Sequence, residues 1–199
     1  MIAKTHSTQV LARLSRLAGL LFCLLLVTPL ATQAADEPRV RLVTSLGTID
    51  VELFADKAPL TVANFLRLVE EGFYEGLIFH RVIANFMIQT GGYEADLTFR
   101  EPRGSVRNES FNGLRNRKGT LAMARLADPD SADAQFFINV NDNTHLDAAP
   151  GQPGYTVFGQ VVAGMDVVTD IELSDTSLQA GMAGVPDTPI VIERAERLP

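Results

Sequence analysis

The stretch that decides the fold reads Tyr74-Glu-Gly-Leu-Ile-Phe-His-Arg-Val-Ile-Ala-Asn-Phe-Met-Ile-Gln-Thr-Gly-Gly92. It consists of two strand-like runs on either side of a turn at Ala84-Asn85. Arg81 and Gln89 add a charge and an amide to runs that are otherwise mostly apolar. Because side chains alternate between the faces of a strand, one face holds both residues if the turn preserves the phase. An arginine on a barrel face normally keeps its charged head in water, so a merely solvated Arg81 stays an open interpretation.

The rest of the chain reads as short strands with two helices. The strand-like runs are Val40–Thr44, Thr48–Leu53, Ile78–Ile83, Phe86–Thr90, Thr120–Ala124, Phe136–Val140, Thr156–Val162 and Pro189–Arg194. A short helix is predicted over Met165–Ile171. Many short strands with glycine-rich turns and two helices indicate a mainly β fold, either a barrel or a sandwich with helical caps.

A longer helix is predicted between Pro59, which suits a first helical turn, and Gly72, which suits a C-terminal cap. Its expected apolar stripe follows the helical spacing and consists of Val62, Phe65, Leu66 and Val69. The residues expected to face away from the core are Thr61, Asn64, Arg67 and Glu71.

Residues 1–34 have the pattern of a secretory signal peptide. Basic residues precede an apolar run at 17–27, and small residues follow it. A transmembrane anchor is the alternative, but a span needs about 20 apolar residues and this run is shorter. Cleavage is expected after Ala34, with Ala35 as the alternative, and residues 35–199 are predicted to form one domain.

Charge and cysteine content exclude several classes of function. The first 34 residues hold three of the 17 basic residues and none of the 24 acidic ones, which leaves 14 basic and 24 acidic residues and a net charge of −10. Such a charge argues against partners that are nucleic acids or anionic membranes. Cys23 is the only cysteine, so the exported part has no disulfide or Cys-X-X-Cys chemistry. Two remaining histidines are too few for a zinc site, and no metal or other cofactor is expected.

The segment from Tyr74 to Gln89 resembles the signature of the cyclophilin family of peptidyl-prolyl cis-trans isomerases. Three more stretches resemble cyclophilin motifs in the same order, namely Gly119–Ala124, Ser131–Ile138 and Val157–Gly159. The resemblance extends over residues 40–198 and is greatest to the exported bacterial cyclophilins. It implies an eight-stranded antiparallel β-barrel capped by two α-helices, and residence in the periplasm.

The resemblance also implies the site residues. Arg81 matches the catalytic arginine of the family, and Gln89 matches the glutamine that holds it. The residues implied to bind substrate are Phe86, Met87, Phe137 and Leu146 in a proline slot, Gln135 in the cleft wall, and Ala124 with the backbone of Arg125 on the N-terminal side of proline. From the residues alone, the slot side chains read as ordinary barrel core, and only the resemblance assigns them to a slot. His80 belongs to the signature but has the opposite parity to Arg81, and we interpret it as structural.

Three positions depart from the pattern of the family. Arg125 stands where the family often has asparagine. His145 stands where many eukaryotic members have the tryptophan that holds cyclosporin, so weak cyclosporin binding is expected. Tyr155 replaces a histidine at the cleft edge and follows a long loop at Asp147–Gly154.

Taken together, these patterns predict a monomeric isomerase that accelerates rotation of X–Pro bonds in unfolded or newly exported proteins. The alternative is a chaperone or adaptor that binds proline-containing segments and turns them over only incidentally. A pure binding module needs the apolar slot but not Arg81 with Gln89 behind it, which favours the enzyme.

Overall fold

The computed structural model describes residues 37–199, so the predicted signal peptide lies outside the described residues. This part of the chain contains ten β-strands, two α-helices and two single-turn 3-10 helices. The strands are β1 (Arg39–Thr44), β2 (Gly47–Leu53), β3 (Arg81–Ile83), β4 (Met87–Thr90), β5 (Thr120–Met123), β6 (Phe136–Asn139), β7 (Val157–Ala163), β8 (Thr176–Gln179), β9 (Met182–Pro186) and β10 (Ile192–Leu198). The helices are α1 (Pro59–Glu70) and α2 (Met165–Glu172).

Eight of the strands form one curled antiparallel sheet in the order β10-β1-β2-β7-β5-β6-β4-β3. The edge strands β3 and β10 do not pair with each other directly. Instead, the backbone just before β3 bonds to the backbone around the start of β10, where Phe79 N donates to Ile190 O at 3.0 Å and Ile192 N donates to Leu77 O at 2.8 Å. The predicted fold class, mainly β with an eight-stranded antiparallel sheet and two helices, is confirmed.

The main core lies on one face of the sheet and beneath α1. In β1 and β2 alternate residues are fully buried, as expected for strands with one face turned to a core. Phe65 of α1 is completely buried, and its ring centroid lies 5.3 Å from those of Tyr74, Phe136 and Phe158. Aromatic rings packed at this spacing stabilise the contact between helix and sheet.

The structure corrects the predicted faces of α1. Thr61 was expected to face solvent but is buried, and Leu66 was expected in the stripe but is only partly buried. The reason is Glu109 from a distant loop, whose Oε2 accepts hydrogen bonds from Thr61 N at 2.9 Å and from Thr61 Oγ1 at 2.7 Å. A carboxylate at a helix N-terminus satisfies amides that the helix itself leaves free.

Two C-terminal elements also differ from the prediction. The last strand is Ile192–Leu198 rather than Pro189–Arg194, because it pairs with β1 along its whole length. The β8–β9 hairpin was not predicted at all, since most β8 side chains are exposed and its sequence does not alternate. Its turn places Ala180 and Gly181 at positive φ (49° and 83°), which suits the twist of a tight hairpin.

Candidate active site

Arg81, Gln89 and Gln135 form a hydrogen-bonded row. Arg81 of β3 lies directly opposite Gln89 of β4, so the turn between them preserves the phase as the sequence predicted. Arg81 Nη1 donates to Gln89 Oε1 at 3.3 Å, and Gln89 Nε2 donates to Gln135 Oε1 at 3.1 Å. The amide oxygen of Gln89 therefore orients the Arg81 guanidinium, while the amide nitrogen of Gln89 is held by Gln135.

A second apolar cluster, separate from the main core, adjoins this row. We call it the cleft cluster, and its members are Met87, Ala122, Phe137 and Val157, packed with Ile83, Phe86, Leu114, Ala124, Leu146 and Tyr155. It contains all four residues predicted for the proline slot. Arg81 Nη1 lies 4.0 Å from Met87 Sδ, which places the positive charge at the border of the cluster.

Strand alternation explains why neighbouring residues divide between the two clusters. Phe136 belongs to the main core, and Phe137, the next residue in β6, belongs to the cleft cluster. In the same way Ile88 of β4 faces the core and Met87 faces the cleft. Since both faces of these strands are covered, all four residues of β6 are buried.

Buried asparagines fix the walls of the cleft, and sequence reasoning missed them. Asn143 Nδ2 donates to Phe86 O at 2.8 Å and to Asn139 Oδ1 at 2.7 Å. Asn139 Nδ2 in turn donates to Thr120 Oγ1 at 3.0 Å. Asparagine is usually a surface or turn residue, so no local pattern singled these positions out. The network holds the Phe86 backbone next to the 3-10 turn that carries Leu146.

The two residues that depart from the family at the cleft edge both contact cluster residues. His145 is exposed, and its ring stacks on Phe86 with centroids 5.7 Å apart and planes inclined by 25°. Tyr155 meets Phe137 edge to face at 5.7 Å. The Arg125 guanidinium carbon lies 4.8 Å from the centre of the Tyr155 ring, within the range of a cation–π contact.

A groove of about 310 Å³ continues from the hydrogen-bonded row. Gln89, Gln135, Ala124 and Arg125 line it, and its other lining residues are Tyr93, Phe99, Leu126, Ser131 and Asp133. The structure thus brings Arg81, Gln89 and every residue predicted to bind substrate to the cleft cluster, its edge or this groove. Ala122, Val157 and Leu114 were not predicted, although the first two lie within motifs that the sequence singled out.

Neither a metal centre nor a membrane span is formed by the described part of the chain. Within residues 37–199, no three His, Cys, Asp or Glu side chains are placed to hold a metal ion. Both α1 and α2 are too short to cross a bilayer.

His80 is buried beside the site rather than exposed to the cleft. It is 3% exposed, and its ring lies 4.7 Å from that of Tyr93. Nδ1 has no hydrogen-bond partner among the described residues. Burial lowers the pKa of His80 from its usual 6.5 to about 4, assisted by the charge of Arg81 and opposed by the Ile78 backbone and the Gln135 side chain.

We expect His80 to make the fold sensitive to mild acid. The unfolded chain binds a proton at His80 near pH 6.5, whereas the folded chain binds it only near pH 4. The free energy of unfolding is therefore unaffected by His80 above pH 6.5 and decreases as the pH falls from 6.5 towards 4. The full loss corresponds to roughly 3 kcal/mol in the free energy of unfolding. Urea denaturation at pH 7, 6, 5 and 4.5 measures how the free energy of unfolding changes with pH. In His80→Gln this change with pH should be smaller than in the wild type. If the free energy of unfolding depended equally on pH in the two proteins, His80 would not be the group responsible.

Comparison with known proteins identifies the family to which this site belongs. The family model for cyclophilin type peptidyl-prolyl cis-trans isomerases matches residues 39–197. A peptidyl-prolyl cis-trans isomerase of Acinetobacter baylyi is 47% identical over 163 residues, covering 82% of this chain and 87% of that protein. Isomerase B of Escherichia coli is 48% identical over 154 residues, covering 75% and 93%.

A solved structure agrees with the sequence comparisons. The crystal structure of a cyclophilin type isomerase from Cryptosporidium parvum matches with a TM-score of 0.67 and 27% identity, covering 82% of this chain and 98% of that one. The chain belongs to the cyclophilin-type peptidyl-prolyl cis-trans isomerase family. Its activity is accordingly peptidyl-prolyl cis-trans isomerisation, and the predicted family and enzyme class are confirmed.

Proposed function

We propose that Arg81 catalyses isomerisation by donating a hydrogen bond to the prolyl nitrogen of a substrate whose proline ring occupies the cleft cluster. The observation that carries this proposal is the place of the Arg81 guanidinium, held by Gln89 at 3.3 Å and lying 4.0 Å from Met87 Sδ. A fixed donor beside an apolar surface is what rotation about an X–Pro bond requires.

The physical reason lies in the electronic change of the amide. In the planar amide the nitrogen lone pair is delocalised, and this gives the C–N bond a rotational barrier of ~18–20 kcal/mol. In the twisted transition state the nitrogen regains a basic lone pair. A guanidinium hydrogen bonded to that nitrogen therefore stabilises the transition state more than the ground state. No covalent intermediate or proton transfer takes part.

The apolar and backbone contacts orient the peptide. Phe86, Met87, Phe137 and Leu146 offer the proline ring a surface that excludes water, and burial of the ring there is favourable. Ala124 N donates to Gln135 O at 2.9 Å, so this amide does not serve a substrate, and we propose the Ala124 carbonyl as the acceptor for a substrate N–H. The Cryptosporidium parvum relative has also been crystallised in the presence of the dipeptide Ala-Pro.

We propose unfolded or newly exported polypeptides as the substrates and the periplasm as the compartment. The support is the signal-peptide pattern at residues 1–34 and the absence of cysteine from residues 35–199. Uncatalysed X–Pro isomerisation takes tens to hundreds of seconds and limits folding, so a catalyst in this compartment has substrates to act on. The mass of the protein recovered from the periplasmic fraction tests the proposal, because export predicts a chain that starts at residue 35 or 36.

The decisive test of the catalytic proposal compares turnover with binding. Exchange between the cis and trans forms of a short Ala-Pro peptide is measured by NMR with and without the protein, and peptide binding is measured in the same samples. We expect exchange to accelerate at substoichiometric protein. Binding without acceleration would instead favour the alternative, a chaperone or adaptor that holds proline-containing segments.

We also expect weak cyclosporin binding, since His145 offers a smaller aromatic surface than tryptophan. His145→Trp should tighten the Kd by roughly tenfold, which is the upper range for one added aromatic contact. The chain contains no tryptophan, so the new side chain also reports binding by fluorescence. Phe111→Trp, at a position that is 63% exposed, is the control. A nanomolar Kd for the wild type would contradict the expectation.

A further inference from the structure

Arg125 connects the end of β5 to the segment that leads into Tyr155. Its Nε donates to Gly154 O at 3.2 Å, and its Nη2 donates to Pro153 O at 3.0 Å. On the other side, Nη1 donates to Leu126 O at 2.9 Å. The guanidinium presents its donors in a planar fork, and bonds to carbonyls on both sides fix the orientation of that plane.

The fixed plane lies over the Tyr155 ring, with Cζ 4.8 Å from the ring centre. Tyr155 in turn packs edge to face on Phe137, with ring centroids 5.7 Å apart. Phe137 is one of the buried members of the cleft cluster. Arg125 is thus connected to Phe137 through one intermediate side chain, and its own donors are directed to backbone carbonyls rather than into the cluster.

The backbone under Tyr155 is held independently of Arg125. Gly154 N donates to Ser110 Oγ at 2.9 Å, and Asn108 Nδ2 donates to Gly154 O at 3.0 Å. A Cβ at Gly154 would lie 2.5 Å from Leu146 O, so this segment is packed tightly against the turn beside it. Loss of the Arg125 side chain therefore frees the Tyr155 ring more than it frees the chain path.

We propose that Arg125 is a positioning residue that holds the Tyr155 ring as a wall of the proline slot. The proposal rests on the proposed function, since it assumes that the cleft cluster takes the proline ring. A wall of the slot contacts the proline in the ground state and in the transition state alike. Its loss removes uniform binding, which raises KM and leaves kcat nearly unchanged.

Arg125→Met keeps much of the length of the side chain and removes the charge and the donors. We expect KM for an Ala-Pro peptide to rise roughly two- to thirtyfold, the range of a cation–π contact. We expect kcat to stay within about twofold of the wild-type value, which is the variation usual for sites that do not interact. Arg107→Met makes the same exchange at an exposed arginine and is the control. A fall in kcat with KM unchanged would overturn the proposal.

Two further variants separate position from charge. Arg125→Lys keeps the charge, but a single ammonium nitrogen cannot replace the three guanidinium nitrogens that bond Gly154 O, Pro153 O and Leu126 O, so KM should rise here too. If Arg125→Met does not fold, Arg125→Lys carries the test, and a wild-type KM in Arg125→Lys would overturn the proposal. On a Tyr155→Ala background, Arg125→Met should change KM by less than about twofold, because its effect passes through the ring. If Arg125→Met raised KM as much on this background as in the otherwise wild-type protein, Arg125 would act without Tyr155.

These outcomes are distinguishable from failure of the proposed function. If the wild type binds the peptide without accelerating exchange, the catalytic proposal fails whatever Arg125 does. If the wild type is active and Arg125→Met and Arg125→Lys both keep the wild-type KM, only the positioning proposal fails. Thermal unfolding of each variant confirms that the comparison is between folded proteins.

Discussion

Arg81→Ala is expected to lower kcat/KM for an Ala-Pro peptide by roughly 100- to 1,000-fold, the loss that follows removal of one transition-state donor. In the proposed mechanism, the guanidinium bond to the prolyl nitrogen strengthens only as the amide twists. Its loss should therefore lower kcat and kcat/KM equally and leave KM nearly unchanged. Line-shape or exchange NMR over a series of peptide concentrations separates the two constants.

Two further variants, one at Arg81 and one at an exposed control position, sharpen the Arg81 test. Arg81→Lys retains the charge but replaces the planar fork by a point charge that Gln89 cannot hold in the same way, so most of the loss should persist. Arg107→Ala, at an exposed arginine, should leave both constants unchanged. An Arg81→Ala enzyme with more than about a third of wild-type kcat/KM would contradict the role, because one displaced donor should cost far more.

The shared face of Arg81 and Gln89 was predictable, and the reason is local. Strand alternation and a turn at Ala84-Asn85 put the two residues on the same face, and the register confirms it. The cleft cluster was not predictable from pattern alone. Phe136 and Phe137 are adjacent and both buried, and only the sheet and its covering decide that one faces the core and the other the cleft.

Long-range contacts explain the parts of the site and fold that the sequence left open. Glu109 reverses the expected exposure of Thr61 from a distance of 48 residues along the chain. Asn143 holds Phe86 across 57 residues. A polar side chain with such a partner carries no periodic signal, because its burial depends on a group that only the fold brings near. The resemblance to cyclophilins singled out the residues predicted to bind proline, whereas the supporting contacts could be seen only in the structure.

Phe65→Ala is expected to have the largest effect on stability. Phe65 is fully buried and packs against three other rings at 5.3 Å, so its truncation leaves a cavity between α1 and the sheet. Such Phe-to-Ala changes cost about 3–5 kcal/mol, a large part of the ~5–15 kcal/mol that stabilises a typical domain. Urea denaturation should show a lower midpoint with an unchanged slope.

The control for Phe65→Ala is Phe111→Ala, which makes the same exchange at a residue that is 63% exposed and should change the free energy of unfolding by less than about 0.5 kcal/mol.

Phe65→Leu tests whether the main core also affects activity. Because Phe65 belongs to the main core and not to the cleft cluster, folded Phe65→Leu should keep the wild-type kcat/KM while it unfolds at lower urea. A loss of less than about 1 kcal/mol in Phe65→Ala would mean that the core closes over the cavity, which would contradict this prediction. A Phe65→Leu variant that is folded but has a reduced kcat/KM would show that the core and the cleft are coupled through β6, where Phe136 and Phe137 are neighbours.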